Sequence, residues 1–105
     1  MLTRNAAIKM VRNYAVEINE AGVNLRKVIM FGSFAKGTQC EWSDIDVALV
    51  ADNFSGVGFL DRQHFSGIGI KKPYSRIEPI TYPTDYFAAS DPFIEEIKNT
   101  GIEII

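Results

Sequence analysis

Apolar residues along this chain follow three different periods. Over residues 3–21, Ile8, Val11, Ala15 and Ile18 recur at three- and four-residue steps, with Arg4, Lys9, Arg12, Asn13, Glu17 and Glu20 between them. That spacing predicts an amphipathic helix laid on a sheet, with Tyr14 on its packed side and Gly22 as its C-terminal cap. The runs 28–31 and 45–50 are continuously apolar and read as buried strands, Arg26 and Lys27 leading into the first. Residues 76–82 alternate, placing Ile77 on one face and Glu78, Ile80 and Tyr82 on the other. Pro79 has no N–H to donate, which makes this third segment an edge strand or a strand end. Near the C-terminus, Asp91 suits an N-cap, Pro92 a first helical position, Glu95 and Glu96 the early turns and Lys98 the last, with Gly101 as the stop. Phe93, Ile94 and Ile97 are that helix's core positions, and 102–105 supplies a final short strand. Residues 52–74 have no clear period, because Gly56, Gly58, Gly67 and Gly69 dilute it. They predict either a crossover connection with a helix near 59–65 or a mobile flap. The expected fold is therefore α/β (α+β), a small mixed sheet of about four strands with flanking helices, forming one domain over residues 1–105.

The residues able to do chemistry lie between the first two strands. Gly32 and Ser33 stand where a strand hands over to a helical turn, and free N–H groups at such a turn attract phosphate oxygens. Gly32 also lets the backbone approach a ligand closely, because it has no Cβ. Asp44 and Asp46 flank Ile45 at the start of the second strand. Strand residues i and i+2 project from one face about 7 Å apart, so both carboxylates can converge on one or two divalent ions while Ile45 points into the core. Oxygen-only ligands and a phosphate partner suit Mg2+, with Mn2+ as the alternative. Gly32 to Gly37 has the spacing of a P-loop, but Thr38 follows Gly37 directly where a Walker A loop requires Lys and then Ser or Thr. That reading fails.

Gly32-Ser33-Phe34-Ala35-Lys36-Gly37-Thr38 followed by Ser43-Asp44-Ile45-Asp46 resembles the signature of the DNA polymerase beta-like nucleotidyltransferases. It looks most like their minimal nucleotidyltransferase (MNT) domains, a likeness that covers nearly the whole chain. That family usually has Arg where Lys36 stands, which keeps the charge but not a bidentate phosphate grip. The resemblance implies that Asp44 and Asp46 bind two Mg2+ ions and that a third carboxylate from a later strand completes the set. Glu78 is the position that fits, although the family more often has Asp there. Asp52 lies roughly 20 Å further along an extended strand than Asp46, and Asp61 and Asp85 fall in helix or loop. Ser33, Lys36 and the turn after Gly32 would hold the β- and γ-phosphates of ATP. The implied reaction is transfer of a nucleotide, AMP from ATP, to a hydroxyl. The implied partner is an all-helical HEPN protein, the toxin of a toxin–antitoxin pair, modified on a tyrosine.

Several residues also have plain readings. Ser33 can be a helix N-cap, Ser43 a turn residue, Trp42 and Tyr86 packed aromatics instead of base-stacking ones, and His64 a surface histidine. Composition adds few constraints: the chain of 105 residues is 47% hydrophobic and 23% charged, with a formal net charge of −2. A slightly acidic balance argues against duplex nucleic acid as a partner. The single cysteine, Cys40, cannot form an internal disulfide, and no signal-like segment opens the sequence, which predicts a cytoplasmic protein. No apolar run approaches the roughly 20 residues of a membrane span. Two other functions fit the same sequence: a non-catalytic module of this fold that inhibits a partner by docking, and a subunit that modifies a small-molecule antibiotic.

Overall fold

The computed structural model describes residues 2–105. Helix α1 (Arg4–Glu20) begins on Thr3, whose Oγ1 accepts the Ala6 N–H at 3.1 Å, and strand β1 (Leu25–Phe31) follows the turn at Gly22. Arg26 and Lys27, predicted to precede this strand, lie within it beside an irregularity in the pairing between Leu25 and Lys27. A single helical turn, α2 (Ser33–Lys36), then leads by an irregular loop to β2 (Ile45–Ala51). Strand β3 (Ile77–Pro83), helices α5 (Thr84–Ala89) and α6 (Pro92–Thr100) and the short β4 (Ile102–Glu103) complete the chain.

The four strands form one sheet in the order β3-β2-β1-β4, with β2–β3 parallel and the other two pairings antiparallel. β3 is therefore an edge strand, as Pro79 requires. Helix α1 buries Val11, Tyr14, Ala15 and Ile18 against Val28, Met30, Ile45, Val47 and Leu49. On the opposite face Ile29, Phe31, Ala48 and Val50 meet Phe87, Ile94 and Ile97. A sheet covered on both faces needs apolar side chains at every central position, which is why β1 and β2 read as continuous runs.

Between β2 and β3 the chain makes short helical turns, α3 (Gly58–Asp61), a 3₁₀ turn (Arg62–His64), α4 (Ser66–Gly69) and a second 3₁₀ turn (Lys72–Tyr74). Phe54, Phe65, Ile68 and Tyr74 from this segment are buried in the α1-side core, so it is a packed crossover and not a flap. Its second anchor is Asp61, only 2% exposed. The Asp61 carboxylate accepts the Ser55 N–H (2.8 Å), Ser55 Oγ (3.0 Å), the Gly56 N–H (2.9 Å) and Thr81 Oγ1 on β3 (2.7 Å). Burial alone would raise the Asp61 pKa; these hydrogen bonds outweigh it and hold the carboxyl below its ordinary value.

Helix α6 starts as predicted, Asp91 Oδ1 accepting the Ile94 N–H at 2.7 Å. Only Ile94 and Ile97 of its three expected core residues are buried. Phe93 is 45% exposed, because it sits one helical step round from the sheet-facing stripe, where its ring meets Phe31 edge-on at 5.8 Å. No helix among the described residues is long and apolar enough to cross a membrane.

Candidate active site

The turn after β1 depends on a backbone that only glycine adopts readily. Gly32 has φ +72° and ψ −150°, and a Cβ built there would lie 2.3 Å from Asp46 Oδ2. The Asp46 carboxylate thus lies directly beside the turn, as expected from the pairing of Phe31 with Asp46 across β1 and β2. Gly32, and not Ser33, occupies the N-cap position of α2, and Ser33 is its first residue. At the other end Gly37 closes α2 in the left-handed conformation, its N–H donating to Ser33 O. Arg4 of α1 clamps the same turn, Nε donating to Phe34 O at 3.1 Å and Nη2 to Ala35 O at 2.9 Å. Nothing in the sequence marked Arg4 for this role, since helical periodicity makes it a solvated position.

The strands bring two of the three predicted carboxylates into register. Asp46 on β2 pairs with Glu78 on β3 in the parallel ladder, so both side chains leave the same face of adjacent strands, about 5 Å apart at the backbone. Asp44 precedes β2 by one residue, and Ile45 between the aspartates is fully buried, as expected. Burial first, and then the negative charges of Asp44 and Glu78, push the Asp46 carboxyl above the usual aspartate range. Among the described residues neither nearby guanidinium forms an ion pair with this cluster. Arg76 donates to the Glu41 and Ser43 carbonyls (3.1 and 2.5 Å), and Arg62 to Pro79 O (2.8 Å).

The three carboxylates face three neighbouring depressions. Asp46 lines a groove of about 340 Å³ with Gly32, Lys36 and Phe93. Asp44 lines a wider one with Trp42 and Arg76, and Glu78 a third with Tyr14 and Arg62. Among the described residues no three acidic, histidine or cysteine side chains come close enough to enclose an ion. The set is adjacent through the backbone, and its side chains are splayed. Its donor chemistry still fits a divalent cation: all ligands are carboxylate oxygens, and their mutual repulsion is what a cation would relieve.

Lys36 reaches the first groove and pairs with Glu96 of α6 at 3.6 Å. Ser43 is a turn residue, its Oγ accepting the Cys40 N–H at 2.8 Å. Trp42 is not packed but 85% exposed, because the loop before β2 carries it away from both cores. Tyr86, also expected to pack, is half exposed; its ring stacks on Tyr82 at 6.1 Å and its hydroxyl donates to Asp91 Oδ2 at 2.8 Å. His64 and Asp85 are exposed, and Asp52 accepts a forked pair of bonds from Arg26, leaving all three outside the site.

Comparison with known proteins matches residues 13–105 to the family model described as Polymerase beta, Nucleotidyltransferase. Curated protein sequences gave no significant match. Among solved structures the fold is similar to that of a protein from Sulfolobus solfataricus assigned to the nucleotidyltransferases. That match has a TM-score of 0.65 and 20% identity over 95% of this chain and 80% of the other. It is similar also to a chain of a toxin–antitoxin structure with AMP-PNP, with a TM-score of 0.62 and 18% identity over 90% of this chain and 72% of the other. At such identities the structures establish the fold, whereas the family model spans the Gly32 turn, the Asp-Ile-Asp strand start and β3 together. On that evidence the chain belongs to the polymerase beta nucleotidyltransferase family.

Proposed function

We propose that this protein transfers a nucleotide, AMP from ATP, to a hydroxyl on a partner protein, and that the partner is a HEPN-type helical toxin which the modification neutralises. The observation that carries the reading is the pairing of Asp46 with Glu78, beside a Gly32 turn whose missing Cβ is filled by the Asp46 carboxylate. Support for the antitoxin role comes from the family resemblance and from the toxin–antitoxin neighbour crystallised with AMP-PNP.

In this reading Ser33, the amides after Gly32 and Lys36 hold the β- and γ-phosphates, which aims the α-phosphate toward Asp46. The acceptor oxygen attacks the α-phosphorus, pyrophosphate leaves, and Glu78 accepts the proton released by the hydroxyl. Asp44, Asp46 and Glu78 would hold Mg2+, which when bound stabilises charge on the attacking and leaving oxygens. Glu78 is exposed, and the hydrogen bonds of Arg62 and Arg76 go to backbone carbonyls, so its carboxylate can face an acceptor carried by another molecule.

The test is Mg2+-dependent transfer of label from α-labelled ATP to a co-expressed helical partner, wild type against Asp44→Asn/Asp46→Asn. Label on the partner, lost in the variant, is the expected result. A second reading, the non-catalytic docking module, is favoured by the splayed carboxylates alone. It predicts no transfer and a complex that survives loss of both aspartates.

A further inference from the structure

The groove beside Asp46 presents one cation between two carboxylates: Lys36, Asp46 and Glu96 are its charged lining. A nucleoside triphosphate, with a charge near −4, would enter a cleft whose only ammonium already faces Glu96 Oε1 at 3.6 Å. Both members of this pair are held by their backbones. Lys36 ends α2, the turn fixed by Arg4 through the Phe34 and Ala35 carbonyls. Glu96 belongs to α6, which is seated by the buried Ile94 and Ile97 and ends at Gly101, where a Cβ would meet Ile29 Cγ2 at 2.5 Å. Phe93, Glu96, Ile97 and Thr100 line the groove at helical i, i+3, i+4 and i+7 spacing, so the helix aims Glu96 at Lys36.

We propose that Glu96 is a positioning residue of the nucleotide groove: it holds the Lys36 ammonium at the mouth and competes with an entering polyphosphate for it. This inference rests on the nucleotide-transfer reading of the same site. Phosphate and the Glu96 carboxylate are drawn to the same compact ammonium charge, and two anions brought to one point charge repel each other. Polyphosphate therefore engages Lys36 at the expense of its pairing with Glu96. Giving up an exposed pair of this kind corresponds to a factor of up to about five in affinity. The side chains are 46% and 57% exposed, so the pair contributes little to folding and its removal leaves the protein intact.

The experiment is calorimetric titration of wild type, Glu96→Gln, Lys36→Met and the double variant with MgATP and, separately, with inorganic tripolyphosphate plus Mg2+. Thermal melts serve as the folding control. Glu96→Gln is expected to tighten both ligands about five-fold and Lys36→Met to weaken them. In the Lys36→Met background, Glu96→Gln should gain less than about two-fold, because the competition runs through the lysine. Unchanged or weaker binding by Glu96→Gln overturns the proposal, as does an equal gain in both backgrounds, which would reflect the general field of a carboxylate. If tripolyphosphate shows the expected pattern while MgATP does not bind, the nucleotide reading fails and the competition stands. If neither ligand binds any variant, both fall.

Discussion

Replacing Gly32 by alanine tests the site at its tightest point. The residue sits at φ +72°, ψ −150°, a region populated essentially by glycine alone. Holding an L-residue there costs about 1–3 kcal/mol. The added Cβ would lie 2.3 Å from Asp46 Oδ2, and contact at a normal separation requires the carboxylate to retreat by roughly 1 Å. Asp46 hangs from a strand buried on both sides of it, since Ile45 and Val47 are fully buried, so the carboxylate moves by rotating its own side chain away from the turn. About 2 kcal/mol of destabilisation lowers the midpoint of a domain this size by about 10 °C, and a catalytic group misplaced by about 1 Å loses roughly 100-fold in rate. Gly37→Ala is the matched control. Gly37 is left-handed at φ +77°, and its Cβ would meet only Arg4 Nη2 at 2.9 Å, the far end of a flexible side chain. The strain is about 1–2 kcal/mol and Asp46 is untouched. Thermal melts and label transfer on both variants read the two effects separately. A Gly32→Ala variant that melts within about 2 °C of wild type and still transfers label would contradict this coupling of strain and site, as would a Gly37→Ala variant that loses transfer as completely.

Three further outcomes follow from the same geometry. Asp46→Asn removes a carboxylate whose folded-state pKa is raised by burial and by Asp44 and Glu78; urea melts at pH 7 without divalent ions should show it slightly more stable than wild type, by less than about 1 kcal/mol, while transfer is lost. Asp61→Ala strands the Ser55, Gly56 and Thr81 donors and should cost about 3 kcal/mol in urea. Because the folded pKa of Asp61 is lowered, its contribution is present above the ordinary aspartate pKa of about 4 and disappears as pH falls through the depressed value, so wild type and variant should converge in acid melts. Arg4→Ala frees two carbonyls of α2 and should cost about 1–2 kcal/mol. If the proposed phosphate binding at α2 holds, Arg4→Ala should also raise the KM for ATP more than it lowers kcat, and equal loss in both would contradict a role for Arg4 in holding that turn.

Elements whose cause is local were legible in the sequence. Asp91 caps the helix it was expected to cap, and Gly22 and Gly101 stand where the two long helices stop. The runs through Val28 and Val47 are buried strands, Pro79 lies on an edge, and Ile45 turns inward between two outward aspartates. The Gly-Ser and Asp-Ile-Asp segments stood out as a candidate site because their spacing places them at the two ends of one connection. Every relation across strands or between distant elements depended instead on three-dimensional packing. The parallel register that sets Asp46 opposite Glu78 follows from how the crossover is anchored, by Asp61 on Thr81 and by Phe65 and Tyr74 in the core. Glu78 could not be placed beside the aspartates from β3's alternation alone, because that pattern fixes a face and not a register. Arg4 on α2, Glu96 on Lys36, and the exposure of Phe93 and Trp42 were likewise hidden. Periodicity reports which face of an element is apolar; which neighbour that face meets depends on packing between residues far apart in the chain, and the charges of this site are arranged by that packing.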